Sequence, residues 1–231
     1  MLMIFPKLSK VAGENLYTYI VIAYEQDFFF AGSAKPLIER ADLQPIYAAL
    51  GMGNIGKINF VSPGTRLAYT PNLYGTIRWL VNQGQIRVFE VDAAALLSRV
   101  SNYRSDINRL ILYKGLAPQL SIMSIVHEVT HAIQDWRNLV SGHKYIEADA
   151  YIAAAVAALS TDPNCAFLEY PAQKPAAKLV LAGQAFGTNT AWIQAYADVR
   201  KTVEADPPLI VLLKILPTRD LIKSLKTRLQ F

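Results

Sequence analysis

Cysteine is nearly absent. Cys165 stands alone in 231 residues, which excludes intrachain disulfides and any zinc cage built from thiolates. Histidine is almost as scarce, with three in the whole chain. A membrane-length apolar run is also missing. The mean hydropathy of +0.20 is high enough to prompt a search for one. The densest stretches, Tyr151 to Leu159 and Leu209 to Leu216, fall short of the roughly 18–20 residues a span needs, and Lys214 interrupts the second. The opening residues, Met1-Leu-Met-Ile-Phe-Pro-Lys7, carry no positively charged segment, and no small-residue cleavage site follows them. The expectation is a cytoplasmic protein, with signal-independent export left open.

Acidic residues are missing from one long stretch. Between Leu43 and Phe89 there is no Asp or Glu, while Lys57, Arg66, Arg78 and Arg87 are present. Lys214 to Arg228 carries five basic residues against one acid, and the net charge is +5. A solvated helix face explains such an excess more simply than a binding surface does. Contact with nucleic acid or an anionic membrane is therefore a secondary expectation. Leu221, Ile222, Leu225 and Leu229 lie at helical spacing and read as a terminal helix packed by its apolar face.

Hydrophobic residues make up 52% of the chain and charged residues 18%, which marks a folded protein with a substantial core. The length suits one domain, 1–231. Pro171 and Pro175 leave a second division open, with a catalytic core at 1–170 and a helical extension at 171–231. No internal repeat occurs. Short helices are expected within Pro36–Leu50, strands at Lys57–Val61, Gln85–Val91 and Arg109–Lys114, and a helix over Ala93–Val100 capped by Asp92. Helices follow at about Pro118–Asn138 and Lys144–Leu159, then between Pro171 and Phe231. The class is α+β, with strands before residue 115 and helices after it.

Two of the three histidines fall in His127-Glu128-Val129-Thr130-His131. Imidazoles four residues apart on a helix share one face at roughly 6 Å, close enough for both to reach one Zn²⁺. The carboxylate between them sits where it can take a proton from a bound water. A zinc site needs a third protein ligand, and His143, Glu147, Asp149 and Asp135 are the nearby candidates. If the two helices fold back about the Leu139–Gly142 turn, residues equidistant from the bend come level. Positions 131 and 147 are equidistant from Leu139, so Glu147 can face His131. His143 lies too near the turn. Asp149 points about 200° round the helix from Glu147, which suits a support for a ligand imidazole better than a ligand.

The pattern His127-Glu128-x-x-His131 followed by Glu147-x-x-Ala150 resembles the zincin metallopeptidases of the gluzincin kind. Tyr151 stands where an Asp or Asn is usual. The resemblance covers residues 109–159. It implies a minimal zincin-like core: a small sheet, an edge strand beside the motif helix (Arg109–Lys114 being the candidate) and a helix-rich C-terminal part. It also implies zinc held by His127, His131 and Glu147, with Glu128 as general base on a zinc-bound water in hydrolysis of a peptide or protein substrate. His143, Tyr145 and Tyr151 are near enough in sequence to stabilise the oxyanion. Three other readings stay open: a histidine pair satisfied by buried hydrogen bonds, a metal that only staples two helices, and a non-catalytic zinc-stabilised binding module whose basic surfaces hold an anionic partner.

Two further signals lead nowhere. Gly51-Met-Gly53-Asn-Ile-Gly56 fits a dinucleotide fingerprint in letters but lacks the preceding strand and the later acid, so it reads as a loop and no nucleotide cofactor is expected. Cys165 has no histidine near it in sequence and reads as an inert thiol.

Overall fold

A computed structural model describes residues 35–36, 43–92, 101–114 and 116–205. They form an α+β fold. In chain order the elements are β1 (Lys35–Pro36), α1 (Gln44–Ala49), α2 (Met52–Ile55), β2 (Phe60–Val61), β3 (Ala68–Tyr69), α3 (Pro71–Asn82), β4 (Arg87–Asp92) and β5 (Asn102–Arg104). A 3-10 turn at Ser105–Ile107 leads to β6 (Arg109–Lys114). The helices α4 (Pro118–Trp136), α5 (His143–Thr161), α6 (Gln173–Leu181) and α7 (Thr190–Ala205) complete the order. The expected Ala93–Val100 helix and the basic C-terminal segment lie outside the described residues.

One sheet runs in the order β1-β4-β6-β5, and β2 and β3 form a separate antiparallel pair. β4 and β6 are parallel over six residues, Arg87 opposite Arg109 through Asp92 opposite Lys114. β5 runs antiparallel to β6, with Tyr103 opposite Leu110. This corrects one expectation: Arg109–Lys114 is an interior strand, and β5 lies outside it as the edge beside α4. A three-residue strand between polar neighbours is too short to show a period-two pattern. Gly51–Gly56 also departs from the expected loop, since Met52–Ile55 makes one helical turn with Gly51 at its N-cap. The helix α3 went unread although Pro71 stands at its first turn, the favoured place for proline.

The hairpin of α4 and α5 organises the core. Pro118 opens α4. Its end is a Schellman turn: the Leu139 N–H reaches the Gln134 carbonyl at 2.9 Å, the Asn138 N–H reaches that of Asp135 at 2.7 Å, and Asn138 adopts φ +49°. The expected helix end at Asn138 is therefore two residues late. Every residue of α5 from Ala148 to Leu159 is buried. A helix apolar all round must be surrounded, and α2, α4, α6 and α7 pack on it. Alanine at 148, 150, 153, 154, 155, 157 and 158 lets these neighbours approach closely. One cluster of buried side chains runs from Leu43 to Val203, so α6 and α7 share the core of the motif helices. Ala155 is fully buried, and Ala155→Leu should destabilise the fold by about 1–3 kcal/mol through overpacking, read as a lower urea midpoint with an unchanged slope.

Among the described residues, no helix is long and apolar enough to cross a membrane.

Candidate metal centre

The fold-back of α5 on α4 brings His127, His131 and Glu147 together. His127 Nε2 and His131 Nε2 are 3.1 Å apart. Glu147 straddles them, with Oε2 3.3 Å from His127 Nε2 and Oε1 3.3 Å from His131 Nε2. A tetrahedral ion with bonds of about 2.0–2.1 Å holds its ligands roughly 3.3 Å from one another. Two imidazole nitrogens and one carboxylate are also a common donor set for zinc in a site with a position to spare. The residues therefore fit the ion. Their side chains are 12%, 17% and 13% exposed, so the cluster is only partly buried.

Electrostatics without metal follow from the same geometry. Burial works against charge on Glu147, but the His131 and His127 imidazoles outweigh it and hold the carboxyl far below its ordinary range. Burial likewise disfavours a charged His131, yet Glu147, with smaller help from Glu128 and Gln134, outweighs it and raises its pKa to about 9. A metal entering here must displace that proton. Metal affinity should therefore rise about tenfold per pH unit towards pH 9 and flatten above it; competition titrations across that range check this, and a flat profile contradicts it.

Glu128 occupies the same turn but faces the sheet. It is 4% exposed, and its Oε2 accepts the Tyr103 N–H from β5 at 2.7 Å. Burial raises its pKa, with the two imidazoles pulling the other way. No Lys or Arg pairs with it among the described residues.

The remaining expected residues are placed as follows. His143 sits at the rim, 70% exposed, with Nε2 3.5 Å from Glu147 Oε1. The Tyr151 ring meets His127 edge-on at 4.5 Å, and its hydroxyl donates to Glu169 Oε1 at 3.4 Å. Tyr145 turns to α7: its hydroxyl accepts from Arg200 at 3.3 Å. Asp149 is fully buried and bonds no imidazole; its Oδ2 accepts from Thr65 Oγ1 at 2.7 Å and Tyr69 OH at 2.9 Å. Burial raises Asp149 to about 6 against these hydrogen bonds.

The imidazole support comes instead from Gln134, whose Oε1 lies 2.8 Å from His131 Nδ1. Its place three residues after His131 on α4 was a usable signal. Tyr69 and Thr65 carried none, since only the tertiary fold brings the β2–β3 hairpin to α5. Gly64 permits that approach, because a Cβ there would strike the Tyr145 ring and the Tyr196 hydroxyl.

Comparison of the chain with known protein families, curated proteins and solved structures finds no match.

Proposed function

We propose that this chain is a zinc-dependent metallopeptidase with a zincin-like core, its metal held by His127, His131 and Glu147. The observation that carries the reading is the mutual spacing of three donor atoms, 3.1, 3.3 and 3.3 Å, with a buried carboxylate on the same helical turn. A bound zinc supplies Lewis acidity, enough to bring the pKa of a water towards ~7 and to polarise a peptide carbonyl. Glu128 takes the proton of the attacking water and passes it to the leaving amine. The Tyr103 N–H orients Glu128 through Oε2 and leaves Oε1 for that proton. Tyr151, kept protonated by burial, stands beside His127 and would serve as an oxyanion donor only by exchanging its hydrogen bond to Glu169 for one to the substrate.

Zinc-reconstituted protein incubated with an unfolded polypeptide should generate new amino termini, stop on addition of a chelator and resume with zinc. Zinc bound at this site with no cleavage across varied unfolded polypeptides rules out the peptidase. The second reading is a non-catalytic, zinc-stabilised binding module. The deep burial of Glu128 favours it, since a general base must reach water.

A further inference from the structure

We infer that Gln134 is a positioning residue for the metal centre: its amide, locked by the Ile146 carbonyl and the Tyr69–Asp149 pair, keeps a proton of His131 on Nδ1 and turns the Nε2 lone pair towards His127 and Glu147. This role presupposes the metal site proposed above and adds to it a defined support running from one ligand into the β2–β3 hairpin.

The direction of every hydrogen bond in the chain of contacts is forced by its two ends. The Ile146 carbonyl can only accept, so the group 3.0 Å from it is the Gln134 NH₂. A flipped amide would set two carbonyl oxygens against each other. At the other end, the Asp149 carboxylate accepts the single hydroxyl proton of Tyr69 at 2.9 Å. The Tyr69 oxygen must then accept the second Gln134 amide proton, also at 2.9 Å. Both amide protons are used. What Gln134 turns to His131 Nδ1, at 2.8 Å, is therefore a pure acceptor, and Nδ1 has to donate.

Gln134, Tyr69 and Asp149 are all buried, so water offers no competing partner. Thr65 adds a second donor to the same Asp149 oxygen, which ties down the far end. A histidine with Nδ1–H held in this way presents Nε2 unprotonated when neutral, which is the state a metal requires. The two helices are fastened at the same point, since Gln134 belongs to α4 and Ile146 to α5, one residue before the ligand Glu147.

The test joins two measurements. Long-range ¹H–¹⁵N spectra of histidine-labelled wild type read the tautomer of His131 in the metal-free protein, above the pH at which the ring becomes neutral. The proton is expected on Nδ1; finding it on Nε2 overturns the inference. Zinc affinities by chelator competition then form a cycle. Gln134→Met should weaken zinc on the order of 10- to 100-fold. Tyr69→Phe should weaken it by less in the wild-type background and not at all in the Gln134→Met background, because Tyr69 acts only through Gln134. Losses that multiply independently overturn the relay. If Gln134→Met fails to fold, the wild-type tautomer decides the matter alone. Wild type that binds no zinc but shows the Nδ1 proton sinks the metal reading and leaves this hydrogen-bond role standing. Zinc binding without that proton does the reverse.

Discussion

Glu128→Gln should leave zinc bound at one per chain and lower peptide hydrolysis on the order of 10²–10⁴-fold. The substitution keeps the shape of the side chain. Its amide oxygen can still accept the Tyr103 N–H, now made by Oε2 at 2.7 Å, so the contact between α4 and β5 survives. Glu128 is not among the three donor side chains that converge on one point, so metal affinity should stay within a few-fold of wild type. Burial already disfavours the charged form of Glu128, so a neutral side chain should not lower stability. What disappears is the capacity to accept and return a proton. Hydrolysis measured beside zinc content and thermal unfolding separates these effects. Unchanged hydrolysis would remove Glu128 from the mechanism. An unchanged partner-binding function in a protein that never hydrolyses peptides would favour the binding module.

Glu147→Ala should weaken zinc by roughly a hundredfold or more. Apparent zinc affinities of about 10–16 kcal/mol shared among four ligands make each worth about 3 kcal/mol. Glu147 also neutralises the imidazoles, with carboxylate oxygens 3.3 Å from both His127 and His131. Without it, the His131 pKa should fall from about 9, since burial is then opposed only by the Glu128 charge and the Gln134 hydrogen bond. The metal-free variant should keep its helical circular dichroism, because the core of α5 begins at Ala148 and is untouched. Zinc retained at wild-type affinity would show that Glu147 is a charge partner of the histidines and not a ligand.

The motif helices were legible because their signals are local. Proline at the first turn and the pentapeptide spacing mark α4, and the alanine-rich run marks α5. Levelling residues about Leu139 led to Glu147, and its carboxylate lies 3.3 Å from both imidazoles. The surroundings were not legible, since they depend on contacts between distant segments. Asp149 was expected near an imidazole because it lies two residues from Glu147. Its partners, Thr65 and Tyr69, come from a hairpin more than seventy residues earlier, and Gln134 stands between that hairpin and His131. The edge strand was misplaced for a related reason. The apolar run Leu110–Ile111–Leu112 announces a strand but not its neighbours, and Tyr103 gained its role from a main-chain N–H that no side-chain pattern reveals.

The most direct measurement is X-ray absorption at the zinc edge on the reconstituted wild-type protein. The expected spectrum has only nitrogen and oxygen neighbours at about 2.0–2.1 Å, with the outer-shell scattering of two imidazoles. A sulfur neighbour near 2.3 Å, imidazole scattering from fewer than two histidines, or protein that takes up no zinc would contradict the centre formed by His127, His131 and Glu147.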